Sequence, residues 1–427
     1  MSQVASTSDN VTAAPQSSVR TLIVAISLGN MLEWYDIVVY AFFAVYLSKA
    51  FFPNTDPTVS LLVTLATFGL AYFVRPIGGL ALGTYADRYG RKASLMVSIV
   101  LMTIGTLSIA VMPTYETIGL VAPIAVLLAR LLQGFSAGGE FGSSTAFLVE
   151  RAPGQRGFIA SWQFSSQGFA TLTAALIGFA LSSLLTPADL QAWGWRIPFF
   201  FGALIGPAGL VIRSHLHDVA IPAAKEDAPV KEVLLQQKFA TILAIGALAF
   251  STAVNYLIIY MPTYVVKTLK LPASIGFTAS LGAGVLLTVF TPIAGIISDR
   301  IGRTTHMLIA GAVLFLSIYP SFHILTSNPT PTVIVAVVLW LALLKALYYG
   351  PLAALMSELF PARTRATGLG LSYNIGVAVF GGMGPAIMAW LGTFAAIGAL
   401  APSYYLSAVG VLSLAALVTI RAQGRAG

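Results

Sequence analysis

Six ionisable side chains lie in stretches of this chain that are otherwise apolar enough to sit in a bilayer: Glu33, Asp36, Arg75, Arg130, Glu140 and Lys345. A charge at the bilayer centre costs roughly 2.5–3.5 kcal/mol or more, so each must face a partner, water or a substrate. Two of them are carboxylates three residues apart in GNMLEWYDIVVYAFF, residues 29–43. Three helical residues turn through roughly 300°, so Glu33 and Asp36 share one side of a helix, with Asn30 one step of three before them. Two close carboxylates do not both ionise cheaply. One is therefore suited to load and unload a proton, and the other to pair with a cation. The alternative is a structural ion pair tying the first segment to the fourth.

The cations suggest what else the site would hold. Arg130, in RLLQG, falls near mid-depth of its segment with Gln133 as a hydrogen-bond partner. A guanidinium fork matches a carboxylate bidentately; a permanent pair with Asp36 or Glu33 is the alternative. Lys345 lies mid-segment in WLALLKALYYGP, with Tyr348 and Tyr349 at i+3 and i+4 on its face. No acid lies inside the later membrane segments to neutralise it, since Asp299 and Glu358 fall at the segment edges. A substrate carboxylate would serve; a lysine reaching along its helix to interfacial water is the alternative. Glu140, within GFSAGGEFG, reads equally as a gate residue or a proton site. Arg75, in FVRPIGG, falls nearer one end of its segment and reads as a gate, a snorkelling side chain or a substrate contact. Gln163, Gln167, Asn255, Tyr256, Tyr373 and Asn374 are polar groups in apolar helices. They are candidates for a cavity lining, with helix–helix hydrogen bonding as the ordinary alternative.

The elements that would position these groups are membrane helices. Of 427 residues, 57% are hydrophobic and 9% charged, against about 25% charged in a soluble domain. Most of the surface is therefore expected to face lipid. Spans of about 20 apolar residues are predicted at 21–48, 59–82, 93–112, 117–149, 157–183, 195–213, 238–266, 273–297, 305–326, 331–359, 366–392 and 402–421. The first 20 residues read as a polar, disordered tail, and no cleavable signal peptide is visible. With the N-terminus in the cytoplasm, sixteen of the 23 lysines and arginines fall on the cytoplasmic side and four outside. That asymmetry places both termini in the cytoplasm and accounts for the net charge of +8 without nucleic acid. There is no cysteine, and the four histidines are scattered, so neither a metal site nor a cofactor is expected. No GxxxxGK[ST] loop or catalytic Ser/His constellation occurs, which argues against an enzyme or an ATP-driven pump.

The chain is internally duplicated. GTYADRYGRK at 83–92 recurs as GIISDRIGRT at 295–304, so Asp87, Arg88 and Arg91 correspond to Asp299, Arg300 and Arg303. Glu150 and Pro153 recur more weakly as Glu358 and Pro361. The predicted organisation is an N-terminal six-helix half at 21–213, a cytoplasmic linker at 214–237 and a C-terminal half at 238–427. Parallel halves around a midplane site are a known transporter design. The duplicated loops read as gating latches or as topogenic basic turns.

The duplicated D-R-x-G-R loop and Arg130-Leu-Leu-Gln133-Gly134 resemble the signatures of the major facilitator superfamily. Within it, GNMLEWYD, FVRPIGGLALGTYADRYGRK, RLLQGFSAGGEFG and WGWRIPFF are similar to the metabolite:proton symporters, whose members carry citrate, tricarballylate, 2-oxoglutarate, shikimate, proline or betaine. TIGLVAPIAVLLARLLQGFSAG, YMPTYVVKTLKL and FGGMGPAI look most like the citrate and tricarballylate branch. The resemblance implies an all-α membrane protein of twelve transmembrane helices in two halves, monomeric, in the plasma (inner) membrane. It implies a role in proton coupling for Arg130. The function expected is proton symport of an organic acid, citrate or a related tri- or dicarboxylate. The alternatives are 2-oxoglutarate or shikimate, a zwitterion such as betaine or proline, and a non-transporting nutrient sensor. Span five has no proline, which argues against an exporter.

Overall fold

The computed structural model describes residues 19–89, 91–150, 154–215 and 229–424, and among them every regular element is helical. In order these are α1 (Val19–Phe42), α2 (Ala44–Phe51), α3 (Pro57–Tyr89), α4 (Arg91–Val111), α5 (Tyr115–Ile118), α6 (Val121–Ser136), α7 (Glu140–Glu150), α8 (Arg156–Leu184), α9 (Pro187–Ala192) and α10 (Ile197–His215). There follow α11 (Pro229–Gln236), α12 (Lys238–Lys267), α13 (Ala273–Ile301), α14 (Arg303–Ser327), α15 (Pro331–Tyr349), α16 (Leu352–Glu358), α17 (Arg365–Gly376), α18 (Gly384–Leu391) and α19 (Ala401–Ala422). Among the described residues ten helical stretches are long and apolar enough to cross a membrane, or eleven when α1 and α2, bent by 66° at Phe43, count as one. The sixth predicted segment corresponds to α10, part of whose side chains lie outside the description. Most of the tail predicted at 1–20 also lies outside it. So does the middle of the predicted linker, of which the last part is the short helix α11.

Large apolar side chains such as Leu80, Leu120, Leu184, Leu204 and Leu316 point outward. In water they would form adhesive patches; against acyl chains they are ordinary. The interior is mainly apolar but also holds polar and charged groups. Arg130, Asp36, Lys345, Gln163, Gln167 and Asn255 are all buried.

Three predicted segments are broken where the sequence demands it. The fourth parts between α6 and α7 at residues 137–139. Gly134 and Gly138 here lie so close to α3 that a Cβ on either would overlap the carbonyl oxygen of Ala71 or Arg75. Small residues allow that backbone approach, and it sets α3 and α6 at the spacing that brings their arginines together. The tenth breaks at Gly350–Pro351 between α15 and α16, and the eleventh loosens into a π turn at Val377–Gly382 before Gly384–Pro385. Broken backbone at membrane depth is tolerated where protein covers it. Asn374 does so for the fourth segment, donating to the Gly138 carbonyl at 2.9 Å. At the turn between α13 and α14, Gly302 has φ +88°, open to glycine but strained for other residues.

Candidate functional site

The three polar groups of α1 face three different helices. Steps of three residues each rotate a side chain by about 60°, so Asn30, Glu33 and Asp36 fan through about 120°. Asn30 donates to the Gln163 carbonyl at 2.6 Å and to Ser166 Oγ at 2.8 Å, both on α8. Glu33 pairs with Arg75 of α3 at 3.4 Å. Asp36 accepts from Thr106 Oγ1 of α4 at 2.6 Å. Of the two acids, Glu33 is the one that pairs with a cation, and Asp36 is held by a hydroxyl.

Arg130 reaches Asp36 through intermediaries. Its NH1 donates to Gln133 Oε1 at 2.7 Å, and Gln133 Nε2 donates to Thr106 Oγ1 at 2.8 Å. Every donor in the series Arg130, Gln133, Thr106 points toward the Asp36 carboxylate. The alternative of a permanent direct pair with Asp36 or Glu33 is not what forms. Among the described residues Arg130 makes no ion pair, and its buried Nε has no hydrogen-bond acceptor. Its charge lies over the Tyr40 and Phe68 rings, 4.4 and 5.2 Å from their centroids, where the negative ring faces attract a cation. Asp36, Tyr72, Arg75, Arg130 and Gln133 line one cavity of about 10 Å³, room for about one water.

A second cluster lies around Lys345. Its Nζ donates to Asn255 Oδ1 at 2.9 Å and sits 3.8 Å from the Tyr349 ring centroid. No carboxylate among the described residues comes within ion-pair distance of it. It is 1% exposed, so it does not reach interfacial water as the alternative reading had it. Tyr349 donates to Gln167 Oε1 at 3.0 Å, and Gln167 Nε2 donates to Tyr373 at 3.2 Å. The Tyr373 ring stacks on Phe141 and the Tyr349 ring on Phe164. Tyr256 donates to the Tyr72 hydroxyl and meets Trp34 edge-on. Helices α1, α3, α7, α8, α12, α15 and α17 thus meet in one polar and aromatic core.

Several sequence expectations need correction. Tyr348 does not face the site with Lys345. Its hydroxyl donates to the Ala247 carbonyl at 2.7 Å, because i+3 and i+4 diverge by about 100° and α12 lies on the i+3 side. Gln163 turns to Ser144 Oγ at 2.5 Å rather than to the core. Arg75 does not snorkel to a surface; it is 2% exposed, pairs with Glu33 and lies 4.5 Å from the Tyr72 centroid. The side chains of Glu140, Asp87 and Arg91 lie outside the described residues.

Of the second D-R-x-G-R loop, two residues join a charged cluster. Asp299 accepts from the amides of Gly157 and Phe158 at 2.8 and 3.0 Å, capping the first turn of α8. Arg303 bridges Asp299 at 3.0 Å and Glu358 at 2.6 Å, and Arg156 approaches Glu358 at 3.7 Å. Nearby, Arg365 pairs with Glu150 at 2.9 Å. Arg88 and Arg300 are exposed. The Glu150–Arg365 and Glu358–Arg156 contacts are related by the sequence duplication, with offsets of 208 between the acids and 209 between the arginines. Arg156, Arg365 and Thr106 are not among the site residues expected from the sequence. The duplication at Glu150 and Glu358 could have led to the first two; Thr106, in LMTIGTLSIA, carries no signal of its own.

An all-helical polytopic fold, lipid-facing outside and charged within, defines a multi-pass membrane protein of the secondary-transporter class. The chain belongs to the Major Facilitator Superfamily, whose family model matches residues 26–385. It is 37% identical over 404 residues to a citrate-proton symporter of Klebsiella pneumoniae, covering 92% of this chain and 90% of that one. It is 37% identical over 368 residues to an alpha-ketoglutarate permease of Escherichia coli, covering 84% of each. A proline/betaine transporter of Escherichia coli is 35% identical over 433 residues, 96% of this chain and 85% of that one. The proton:xylose symporter XylE, solved with 6-bromo-6-deoxy-D-glucose, shares the fold with a TM-score of 0.77 and 16% identity over 95% of each chain.

Proposed function

We propose that this protein imports an organic acid, citrate or a related tri- or dicarboxylate, together with protons, by alternating access. The observation that carries the reading is Lys345: a buried ammonium on α15 whose described partners are a neutral amide and a ring face. A substrate carboxylate would supply the missing charge, with Arg130 as a second anchor. Arg130 and Lys345 stand on opposite halves of the duplicated chain, 21–213 and 238–427. A polyanion drawn between them would favour the state in which both are within reach, which is the differential affinity a population shift needs.

Asp36 is the proton carrier in this scheme. Thr106 has one hydroxyl proton and two acceptors within reach, Asp36 at 2.6 Å and the Met102 carbonyl at 3.0 Å. It serves a charged Asp36 through the first and relaxes to the second when Asp36 is protonated. Arg130 reads that change through Gln133. Gln167, Asn255, Tyr256, Tyr349 and Tyr373 complete the substrate site, and Arg75–Glu33 is an inter-helix tie that substrate binding loosens. The Asp299, Arg303, Glu358 and Arg365 contacts close the end of the bundle that holds both termini, the cytoplasmic one by the distribution of basic residues. The protein works as a monomer in the inner membrane.

The test is uptake of radiolabelled citrate into proteoliposomes, with and without an imposed inward proton gradient. Gradient-stimulated accumulation is expected; citrate uptake indifferent to the gradient overturns the coupling. Competition by unlabelled citrate, 2-oxoglutarate, betaine and proline ranks the cargo. A zwitterion is the second reading, supported by the Trp34, Tyr72 and Tyr256 rings at the core, since ring faces attract quaternary ammonium groups. Competition by betaine but not by citrate would favour it.

A further inference from the structure

A second cavity, of about 40 Å³, lies on the other side of Asp36 from Arg130 and Gln133. It is lined by Glu33 and Asp36 of α1, by Ser98, Met102 and Thr103 of α4, and by Gly202 and Gly206 of α10, with Gly29 and Leu32 along one wall. All three helices agree on its direction. From Asp36 to Gly29 is seven residues, a rise of about 10 Å. On α4 the lining runs from Thr103 back to Ser98, toward its start at Arg91; on α10 it runs from Gly202 to Gly206, toward its end at His215. Each run approaches the end of the bundle that carries the 83–92 loop. Asp36 is buried, as are Gly29, Gly202 and Gly206, whereas Leu32, Glu33, Ser98, Met102 and Thr103 are partly exposed, so the accessible part of the lining is on α1 and α4.

The cavity exists because α10 presents glycine to it. A Cβ at Gly202 would lie about 2.5 Å from Asp36 Oδ1, and one at Gly206 would overlap Thr103 Oγ1. Its volume holds roughly two or three waters, and a buried water needs two to four polar partners. The Asp36 and Glu33 carboxylates and the Ser98 and Thr103 hydroxyls supply them. Both hydroxyl protons are committed to backbone carbonyls, Ser98 to Ser136 at 2.7 Å and Thr103 to Ile99 at 2.8 Å, so their oxygens are left to accept from water. The groups facing Asp36 from the other packed elements are Tyr35 of α1, Thr106 of α4, Arg130 and Gln133 of α6, and Tyr72 and Arg75 of α3. Tyr35 lines this cavity beside the carboxylate, Thr106 bonds the carboxylate, and the others line the cavity on its other side.

We infer that this α1–α4–α10 cavity is a water-filled proton passage from Asp36 to the loop end of the bundle, separate from the route taken by the substrate. Protonated Asp36 gives its proton to the first water and is left as the carboxylate that Thr106 and the Arg130–Gln133 series hold. The proton passes along the waters beside Glu33 and Ser98 and leaves at the mouth. The inference rests on the symport reading above.

The test separates proton release from substrate movement. Net uptake driven by a proton gradient needs Asp36 to discharge in each cycle, whereas exchange of labelled for unlabelled substrate lets the loaded carrier shuttle without discharging. Thr103→Leu is expected to fill the passage. In proteoliposomes with radiolabelled citrate, or whichever acid of the competition panel the wild type accumulates, exchange should stay within about twofold of wild type, and gradient-driven uptake should fall at least tenfold. Thr103→Ser should behave as wild type. Normal gradient-driven uptake in Thr103→Leu overturns the passage. If that variant loses both activities, Thr103→Val with Ser98→Ala decides, since it strips the polar lining at little change in volume. Retained exchange with impaired net uptake there supports the passage, and any other outcome overturns it. A wild type that ignores the gradient refutes the symport reading instead.

Discussion

Lys345 is the residue on which the choice of cargo turns. An ammonium buried beside an amide oxygen and a ring is poorly compensated, and a charge-assisted hydrogen bond to a substrate carboxylate contributes about 1.5–3 kcal/mol. Lys345→Gln should therefore weaken citrate binding by about 10- to 150-fold, measured by substrate competition in proteoliposomes, while a zwitterion would lose little. Asp36→Asn tests the other half of the scheme. Asparagine keeps an oxygen for Thr106 but never ionises, so substrate exchange should persist while gradient-driven accumulation disappears. Equal loss of both would instead assign Asp36 a purely structural role. That Lys345, Arg130 and the first-span acids are unusual was legible in the sequence, because ionisable groups stand out against an apolar background. Which partner each takes was not. Tyr348 and Tyr349 are equivalent by spacing, and only the position of α12 sends one hydroxyl to Ala247 and leaves the other for Gln167. Thr106 was invisible for a related reason: a threonine in a membrane helix satisfies its own hydroxyl on the preceding turn, and its link to Asp36 depends on how α1 and α4 pack.

At the scale of elements, the spans were readable because apolar length and flanking charge are local properties; two of the breaks fall at Gly–Pro pairs, whereas the bend at Phe43 and the break at 137–139 have none. The geometry between helices depends on contacts distant in sequence. The WGWRIPFF stretch shows this. Its conspicuous Arg196 faces no substrate candidate; its NH1 donates to the carbonyls of Ala110 and Met112, at 2.9 and 2.7 Å, where α4 ends. A cation there satisfies orphan carbonyls and the negative end of the helix dipole. Arg196→Ala should cost about 1.5–3 kcal/mol of stability, seen as a lower unfolding temperature in detergent, without changing the ratio of exchange to gradient-driven uptake. The charged cluster at the loop end should do the reverse. Asp299→Asn weakens the cap on α8 and its bridge to Arg303, so that end should open more often. The chain has no cysteine, and Ser161 on α8 is fully buried. A Ser161→Cys reporter is therefore a unique label, and its maleimide reactivity should rise several-fold in the Asp299→Asn background. Unchanged reactivity would leave the cluster a fold-stabilising feature only.

Contacts among the described residues tie the bundle together at both ends in this structure. At the loop end the duplicated contacts Glu150–Arg365 and Glu358–Arg156 tie α7 to α17 and α16 to α8. At the other end the Phe42 and Phe43 rings, where α1 bends into α2, pack on Phe277 of α13. An alternating-access carrier must open each end in turn, so each of these ties must break in turn. Fixing either one should therefore stop transport, although they lie at opposite ends of the bundle. The measurement uses two double-cysteine variants in a chain with no other thiol: Glu150→Cys with Arg365→Cys, and Phe43→Cys with Phe277→Cys. Joined by a short bifunctional maleimide, each should lose gradient-driven uptake in proportion to the fraction cross-linked. The same pairs left unlinked, or alkylated with a monofunctional reagent, supply the baseline against which that loss is judged. If a fully linked loop-end pair transports at its unlinked rate, that end does not open during transport. The substrate would then need a path that leaves the Glu150–Arg365 tie intact, and rocking of two halves about a central site would be the wrong description of how this chain moves its cargo.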